Sequence, residues 1–313
     1  MLRYTLRQIE YFVAVGETGS IARAAERLNV SSPSISAAIA QLEQELGLPL
    51  FVRHHAQGLS LTSAGRRMLE QARRALREAG ALRDMAGEIS GQVRGPLALG
   101  CLVTFAQILL PALRRGFEEA HPDVRVSQRE LNQMEILSGL RRSEIDMALT
   151  YDLDVPADLR FVPLVALPPH AVLPAMHPLA GRARVRIEEL APFPMVLLDL
   201  PHSADYFLSH FAAAGLRPEI AERTRDMAVM RSLVANGYGY SIANVLPLSR
   251  VAPDGKPLVF VPIEGKVRPM RMGLLMAQDA EKSNAVRAFA GHVSAAVQSG
   301  SLPVIGTALT GRG

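Results

Sequence analysis

The chain has 313 residues, enough for two or more domains with separate hydrophobic cores. Apolar residues make up 49% of it, but no uninterrupted apolar run approaches the roughly 18–20 residues of a membrane-spanning helix. The charged, amphipathic start is unlike a signal peptide, and the single cysteine, Cys101, excludes a disulfide framework and a cysteine-based metal cluster. We therefore expect a soluble cytoplasmic protein without a membrane partner.

The net charge of +4 is concentrated near the N-terminus. Residues 1–95 contain twelve arginines and nine acidic residues, whereas the remaining 218 residues contribute only +1. No lysine precedes Lys256, so every early cation is an arginine, which suits bidentate contacts with phosphate or guanine. This distribution is consistent with a phosphate-facing surface, although it is a weak signal by itself.

The segment Ser20–Phe51 predicts two short helices joined by a tight turn. In residues 20–28 the apolar side chains follow the 1-4-5-8 spacing of one buried stripe, and residues 29–32 favour a turn. Pro33 fits the first turn of the second helix, which Gly47 ends. In a helix-turn-helix the second helix can enter the DNA major groove, but an ordinary helical hairpin has the same spacing.

Four sequence blocks around this segment stand in order: LRQIEYFVAV at Leu6–Val15, GS with AAERL at Gly19–Leu28, LEQELGLPLF with Arg53 at Leu42–Arg53, and LTSAG at Leu61–Gly65. With these blocks the N-terminal region resembles the winged helix-turn-helix domain of LysR-type transcriptional regulators, a bacterial family. The resemblance extends more loosely to about residue 300. It implies a DNA-binding domain at 1–61, and double-stranded DNA as a partner.

The resemblance also implies which residues face DNA. They are Ser31, Ser32, Pro33, Ser34, Ser36, Ala37 and Gln41 on the second helix, Arg23 on the first helix, and the wing arginine Arg53. The family often has a Gln before the proline and an Arg after the second serine, whereas residues 32–38 read SPSISAA. Because these side chains are short, we expect permissive base readout, with specificity resting more on the wing, DNA shape and dimer spacing.

The wing and a long helix follow. Residues 53–58 form a predicted polar turn, and Leu59–Leu61 alternates like a returning strand. Thr62 can cap a helix that we predict to run to about Val93, giving a linker helix at 62–93. Its apolar residues recur at three- and four-residue steps, which suits pairing with another helix. That partner could be intramolecular, but the resemblance implies a homodimer or homotetramer.

Beyond the linker at 91–96, strands alternate with helices, which predicts parallel sheets covered on both faces. The predicted elements include one helix over Thr104–Ala120 and an extended crossover over Phe161–Met176. Two such lobes joined by two crossovers resemble the type-2 periplasmic-binding-protein fold, within an α/β chain overall. We expect an effector domain at 94–300, with lobe I at about 96–163 and 268–300, lobe II at about 164–267, and a flexible tail at 301–313.

Ligands in such sheets bind beyond the carboxyl ends of strands, near helix N-termini. This rule selects seven candidate effector-binding residues: Thr104, Tyr151, Asp152, His202, Ser203, Asp226 and Asn244. Several have a simpler interpretation: the Thr, Ser and Asp at helix starts as N-caps, the Tyr as core, the Asn as a turn residue. Two facing helix N-termini favour a carboxylate ligand, whereas Asp152, Asp154 and Asp226 leave a cationic amine open.

No H-E-x-x-H, P-loop or G-x-S-x-G pattern is present, and Cys101 is predicted to lie at the end of a buried strand. We therefore predict no catalytic residue, metal site or cofactor. The preferred function is a LysR-like regulator that senses a small metabolite. The alternatives are a metabolite sensor acting through protein assembly and, less favoured, an enzyme in the two-lobed domain.

Overall fold

The computed structural model describes residues 3–54, 58–89, 93–300 and 302. The chain divides into two compact units, Met1–Gln92 and Val93–Gly313. Residues 55–57 of the predicted polar turn, residues 90–92 of the linker region and residues 303–313 of the predicted tail lie outside the described residues. Among the described residues, no helix is both long enough and apolar enough to cross a membrane.

The first unit consists of helices around a small two-stranded sheet. Its elements are α1 (Leu6–Thr18), α2 (Ile21–Leu28), α3 (Ser32–Leu46), β1 (Phe51–His54), β2 (Gly58–Leu61) and α4 (Ser63–Ile89). Local capping sets the helix bounds: Ser20 and Ser31 accept hydrogen bonds from the backbone at the starts of α2 and α3. Gly47 ends α3 with a φ of 68°, a conformation that glycine adopts without strain.

The predicted inner faces of these helices are buried. Val15, Ala24, Ile35 and Ile39 form one apolar cluster between α1, α2 and α3. A second cluster joins α1, α3 and α4 through residues such as Leu69. The wing begins earlier than predicted, because residues 51–54 already form β1, which pairs antiparallel with β2. The long helix ends at Ile89 within the described residues, and Val93 is not helical.

The second unit is an α/β unit with two lobes. In chain order its elements are β3 (Gly95–Leu102), α5 (Val103–Ala106), α6 (Leu110–Ala120), β4 (Val124–Leu131), α7 (Gln133–Arg142), β5 (Met147–Tyr151), β6 (Leu159–Leu167), β7 (His170–Pro174), β8 (Val185–Arg186), α8 (Ile187–Leu190), β9 (Met195–Leu198), α9 (Ser203–Ala213), β10 (Ile220–Thr224), α10 (Met227–Ala235), β11 (Ser241–Ala243), β12 (Leu258–Glu264), β13 (Met270–Ala277) and α11 (Asn284–Gln298), with a 3-10 turn at Ala280–Lys282. The sequence did not predict β8 or α8.

Lobe I contains a five-stranded sheet in the order β4-β3-β5-β13-β6. The strands β3, β4 and β5 are parallel, but β13 runs antiparallel to both of its neighbours, so the prediction of purely parallel sheets was wrong. Lobe II contains the sheet β11-β7-β12-β8 and the parallel pair β9 and β10. A backbone hydrogen bond of 2.7 Å from Val196 N to Tyr240 O joins β9 to the segment before β11.

Three predicted elements need correction. The segment Phe161–Met176 is not one crossover, because β6 pairs with β13 as far as Leu167 and β7 already belongs to lobe II. We therefore place the first crossover after Leu167 and not at residue 163. The sequence pattern also predicts a strand over Val259–Pro262 that returns to lobe I, but these residues lie in β12, which pairs with β7 in lobe II. The predicted helix over Thr104–Ala120 is divided into α5 and α6 before Pro111, whose ring and missing N–H oppose a continuous helix.

Candidate DNA-binding surface and effector cleft

The exposed side of α3 carries short side chains. Ser31, Pro33, Ser34, Ala37 and Gln41 are exposed, and Ser32 and Ser36 are half-buried. At the start of the helix, Ser31 Oγ lies 2.7 Å from Ser34 Oγ and accepts a hydrogen bond from Ser34 N. These two hydroxyls therefore stabilise the first turn. On the opposite side Ile35 is fully buried and fixes which side of α3 faces outward.

Gln41 is the longest polar side chain among these residues, and α1 holds it in place. Its Oε1 accepts a hydrogen bond of 3.0 Å from Gln8 Nε2. Gln8 is itself fixed, because its Oε1 accepts a 2.7 Å hydrogen bond from Thr5 N at the start of α1. The Gln41 Nε2 group has no partner among the described residues and can donate outward. Sequence reasoning did not identify Gln8, which is 33 positions away in the chain.

The two predicted DNA-binding arginines belong to other elements than α3, Arg23 to α2 and Arg53 to β1. Arg23 is exposed on α2, and its Nη2 donates to Thr18 O. Arg53 lies in β1 opposite Leu59 of β2. The wing is attached to the helices by a hydrogen bond of 3.0 Å from Leu59 N to Gly19 O.

A residue that the sequence did not select also positions the wing. Glu43 Oε1 accepts hydrogen bonds from Leu50 N at 2.7 Å and from Phe51 N at 3.1 Å. Bonds to an ionised acceptor are among the stronger hydrogen bonds in proteins. They tie the side of α3 to the first residue of β1, so α3 and the wing are held together.

In the second unit a small cleft, part of it open to solvent, lies between the lobes. It brings together four of the seven predicted effector residues: Thr104, Tyr151, Ser203 and Asn244. Most of the remaining lining is apolar and consists of Leu198, Phe207, Met227, Met230, Ile242, Ala243, Val245 and Met270. Polar groups at the ends of separate strands thus converge on a largely apolar space, as the strand-end rule predicts.

Two buried polar atoms in the cleft lining have no hydrogen-bond partner among the described residues. They are Thr104 Oγ1 and Asn244 Oδ1, in side chains of residues that are 7% and 4% exposed. Thr104 is not a helix cap, since Leu102 occupies that position of α5. Ser203 is the first residue of α9 and His202 is its N-cap, so the N-cap interpretation is wrong for Ser203 as well. Burying an unpaired polar atom costs free energy that a ligand can recover.

Asn244 belongs to a hydrogen-bond network that contacts both crossovers. Its Nδ2 donates to Leu167 O at 2.8 Å, at the end of β6, and to Tyr206 Oη at 2.9 Å. Tyr206 Oη in turn donates to Arg268 O at 2.6 Å, just before β13. Burial is the main cause that raises the pKa of Tyr206 to about 12, so its hydroxyl remains a donor. The sequence did not select Tyr206 or Arg268, which are 62 positions apart.

The predicted acidic candidates do not line the cleft, because each has a structural partner. Asp152 Oδ1 and Oδ2 accept hydrogen bonds of 2.8 Å from N and Nε of Arg271. Asp226 caps α10 by accepting from Ala228 N at 2.7 Å, as the N-cap interpretation expects. His202 is also committed, since its Nδ1 lies 2.5 Å from Asp154 Oδ2.

The single cysteine, Cys101, is buried. Burial in β3, together with the charge of Glu130, raises the pKa of the Cys101 thiol far above its ordinary value. A buried thiol of this kind is not a reactive thiolate. Burial also raises the pKa of Tyr151, which the nearby Thr104 hydroxyl opposes only in part. No group of three or more His, Cys, Asp or Glu side chains that could hold a metal ion occurs in the described part of the chain.

A winged helix-turn-helix unit followed by a two-lobed α/β unit with an interlobe cleft defines the class of ligand-responsive transcriptional regulators. Residues 6–66 match the family described as bacterial regulatory helix-turn-helix protein, lysR family, and residues 90–298 match the LysR substrate binding domain. The chain therefore belongs to the LysR family of transcriptional regulators, which confirms the resemblance that its sequence blocks indicated.

Individual relatives match almost the whole chain. The HTH-type transcriptional regulator YnfL of Escherichia coli K12, described as uncharacterized, is 32% identical over 92% of this chain and 97% of its own length. The crystal structure of HinK, a LysR family regulator from Pseudomonas aeruginosa, is 34% identical with a TM-score of 0.63, covering 94% of this chain and 99% of that one. Full-length CbnR complexed with its target DNA is 26% identical with a TM-score of 0.62, covering 92% and 98%.

Proposed function

We propose that this regulator binds an operator through α3 and the wing, and that a small effector bound in the interlobe cleft changes that binding. The observation that carries the effector proposal is the buried, unpartnered atom Asn244 Oδ1 in the cleft lining, where Thr104 Oγ1 lies near the Tyr151 hydroxyl. Because Asn244 Oδ1 is buried, a ligand that donated a hydrogen bond to it would offset the cost of that burial. The related CbnR, whose structure was solved with its target DNA, supports the DNA-binding part of the proposal.

An exposed apolar residue of α4, Leu82, supports a homo-oligomer. Leu69 and Ala72 of its apolar seam are buried within the first unit, but Leu82 is 70% exposed. Two copies could bury such side chains by pairing helices. A dimer, or a tetramer of two dimers, would also present two helix-turn-helix units to half-sites about 34–36 Å apart. Pairing therefore serves both the stability of α4 and the affinity for DNA.

The network around Asn244 offers a physical route from ligand to lobe arrangement. A ligand that contacts Asn244 contacts a side chain that is already bonded to Leu167 O and, through Tyr206, to Arg268 O. These two carbonyls lie at the two crossovers. Effector binding would then favour one relative arrangement of the lobes, and this shift in population would change operator affinity.

Two further proposals, on the cellular location and on enzymatic activity, follow from this role. A transcriptional regulator acts where the chromosome is, so we propose a cytoplasmic location. We also propose that the chain is not an enzyme, since its one thiol is buried with a raised pKa. Turnover of a molecule bound in the cleft would contradict that part of the proposal.

Binding of the full chain to duplex DNA at increasing salt concentration tests the operator role. Affinity should fall steeply with salt, and Arg53→Ala should reduce the log–log slope by about one phosphate contact. Arg115→Ala is the matched control, because Arg115 is exposed on α6 in the other unit and should leave the slope unchanged. A complete absence of salt-dependent binding would instead favour a sensor acting through protein assembly.

A ligand-stabilisation screen of the full chain tests the effector role. A specific binder at 100 times its dissociation constant should raise the free energy of unfolding by about 2.7 kcal/mol. Thr104→Val keeps the side-chain shape but removes the hydroxyl, so it should abolish the ligand response and leave operator binding intact. Unchanged ligand affinity in this variant would remove Thr104 from the site.

A further inference from the structure

The polarity of the Asn244 side chain is fixed by its neighbours. Its Nδ2 donates to Leu167 O, which is a carbonyl and can only accept. It also donates to Tyr206 Oη, whose own proton is used in the bond to Arg268 O. Turning the amide over would place its oxygen against the Leu167 carbonyl. Asn244 Oδ1 is therefore a permanent acceptor, and it is the one polar atom of this side chain that remains unpartnered among the described residues.

An acceptor of this kind selects a ligand group that carries a hydrogen. A hydroxyl or an N–H can donate to Asn244 Oδ1, whereas a carboxylate has acceptors only. Thr104 Oγ1 does not restrict the ligand further, because a hydroxyl can donate or accept.

The cleft also disfavours a charged ligand. Among the described residues that line the cleft, none carries a charged side chain. The nearby carboxylates are already engaged, Asp152 by Arg271 and Asp154 by His202. A buried charge without a partner is costly, so a cationic amine would not be compensated.

The expected carboxylate loses most of its support as well. That expectation rested on two facing helix N-termini, but α5 has four residues and is too short to act as one. Of the longer helices, α9 begins at the cleft with Ser203 and α10 with Met227, but the start of α10 is already occupied by the Asp226 carboxylate, which accepts from Ala228 N and Val229 N. A single helix N-terminus does not replace a cationic side chain as the partner of a buried anion, and the Asn244 acceptor opposes an anion directly.

The apolar lining favours an aromatic ring. Phe207 and the thioethers of Met227, Met230 and Met270 all line the cleft. Methionine sulfur makes favourable contacts with aromatic rings, and its flexible side chain adapts to the shape of a ligand. Resting on the proposed role of the cleft as the effector site, we propose that the effector is an uncharged aromatic molecule bearing a hydroxyl or N–H that donates to Asn244 Oδ1.

Four compounds that share one aromatic ring test separately whether the ligand needs a hydrogen-bond donor and whether it must be uncharged. Benzyl alcohol has a neutral donor, benzyl methyl ether lacks the donor, benzoate is anionic, and benzylammonium is cationic. Their binding to the full-length protein with ¹³C-methyl-labelled methionine is followed by NMR, and Met→Leu variants assign the methyl signals of Met227, Met230 and Met270. Shifts at these three signals locate binding in the cleft, and their concentration dependence gives each dissociation constant.

Benzyl alcohol should bind about tenfold more tightly than its methyl ether, the effect of one buried hydrogen bond. Both ions should bind more weakly still. Equal affinity of alcohol and ether would overturn the role of Asn244, and tighter binding of benzoate would overturn the neutral class. If none of the four compounds shifts these methyl signals, the aromatic ligand is wrong. The regulator proposal fails separately, by the absence of salt-dependent DNA binding.

Discussion

The surface of α3 and the interlobe cleft are built in opposite ways. The surface is contiguous: its side chains lie on one helix and its N-cap within eleven residues, Ser31 to Gln41, and most of them are exposed. The cleft is assembled from separate segments, with Thr104 after β3, Ser203 at the start of α9 and Asn244 after β11, all buried. A contiguous exposed surface can change one side chain at a time, because few of its residues hold each other in place.

Hydrogen bonds connect residues of the cleft with their neighbours, so one substitution there alters several contacts at once. Asn244 contacts both a carbonyl of β6 and the hydroxyl of Tyr206, so altering it disturbs the crossovers as well as the ligand contact. We therefore expect additive, modest effects on α3 and coupled effects around the cleft. The following predictions test this difference.

The largest effect should come from the core beneath α3. Ile35 is fully buried between α1, α2 and α3, and Ile35→Ala should reduce the free energy of unfolding of the first unit by about 3 kcal/mol. Operator binding should be lost with it. The response of the cleft methionine signals to ligand should persist, and its loss would show that the two units do not fold independently. Chemical denaturation followed by circular dichroism, with exposed Ala37→Ser as the control, measures the effect.

Low pH should reduce the stability of the two-lobed unit, because His210 on α9 has a lowered pKa in the native protein. Burial, reinforced by the charge of Arg268, lowers the pKa of His210 from 6.5 to about 4. Between these values the unfolded chain binds a proton that the native protein does not bind, so the free energy of unfolding falls as the pH falls from about 6.5 to about 4. After allowance for solvent screening the loss should reach about 2 kcal/mol.

A variant without this titrating group isolates the contribution. His210→Gln should flatten the decrease in the free energy of unfolding over this pH range, as measured by urea denaturation at pH 7 and pH 5. Salt-dependent DNA binding at pH 7 should be unchanged, since His210 belongs to the second unit. An equal pH dependence in the variant would assign the acid sensitivity to other groups.

The two regions also differ in how far the sequence predicted them. The bounds of α2 and α3 follow from local signals, Ser20 and Ser31 as N-caps and Gly47 as the end, and these act within a few residues. The sequence blocks that resemble the LysR family indicated the same two helices. The supporting contacts of Gln8 and Glu43 were missed, because a side chain that binds a group in another element has no local signature.

For the cleft, the rule that ligands bind beyond the carboxyl ends of strands identified residue positions but not the hydrogen-bond partners of those residues. Thr104, Tyr151, Ser203 and Asn244 meet as expected, whereas Asp152 was selected by the same rule and is held by Arg271, 119 positions away. Tyr206 lies inside a helix and gave no strand-end signal. The antiparallel direction of β13 was missed for a related reason, since it depends on how the chain returns from lobe II, which local patterns do not encode.

Removing one hydroxyl from the cleft network should have an intermediate effect. Tyr206→Phe leaves Arg268 O and one N–H of Asn244 without partners, which should cost about 1.5 kcal/mol of unfolding free energy. The change in operator affinity on adding ligand should also decrease, while the salt dependence of DNA binding stays the same. Tyr238→Phe, at a residue that is 53% exposed, is the matched control. A full ligand response in Tyr206→Phe would exclude this network as the route between cleft and crossovers.

The smallest effect should be found on the contiguous surface. Gln41 can donate from Nε2 while Gln8 holds its oxygen, so it is oriented before DNA binds. Because only one such contact is lost, Gln41→Ala should weaken operator binding by about 1 kcal/mol, roughly fivefold. Gln44→Ala, three residues further along α3 and also exposed, removes a similar side chain and should cost less. Quantitative binding to one operator at fixed salt compares them, and an equal loss in both variants would mean that the contact with Gln8 does not orient Gln41 for DNA.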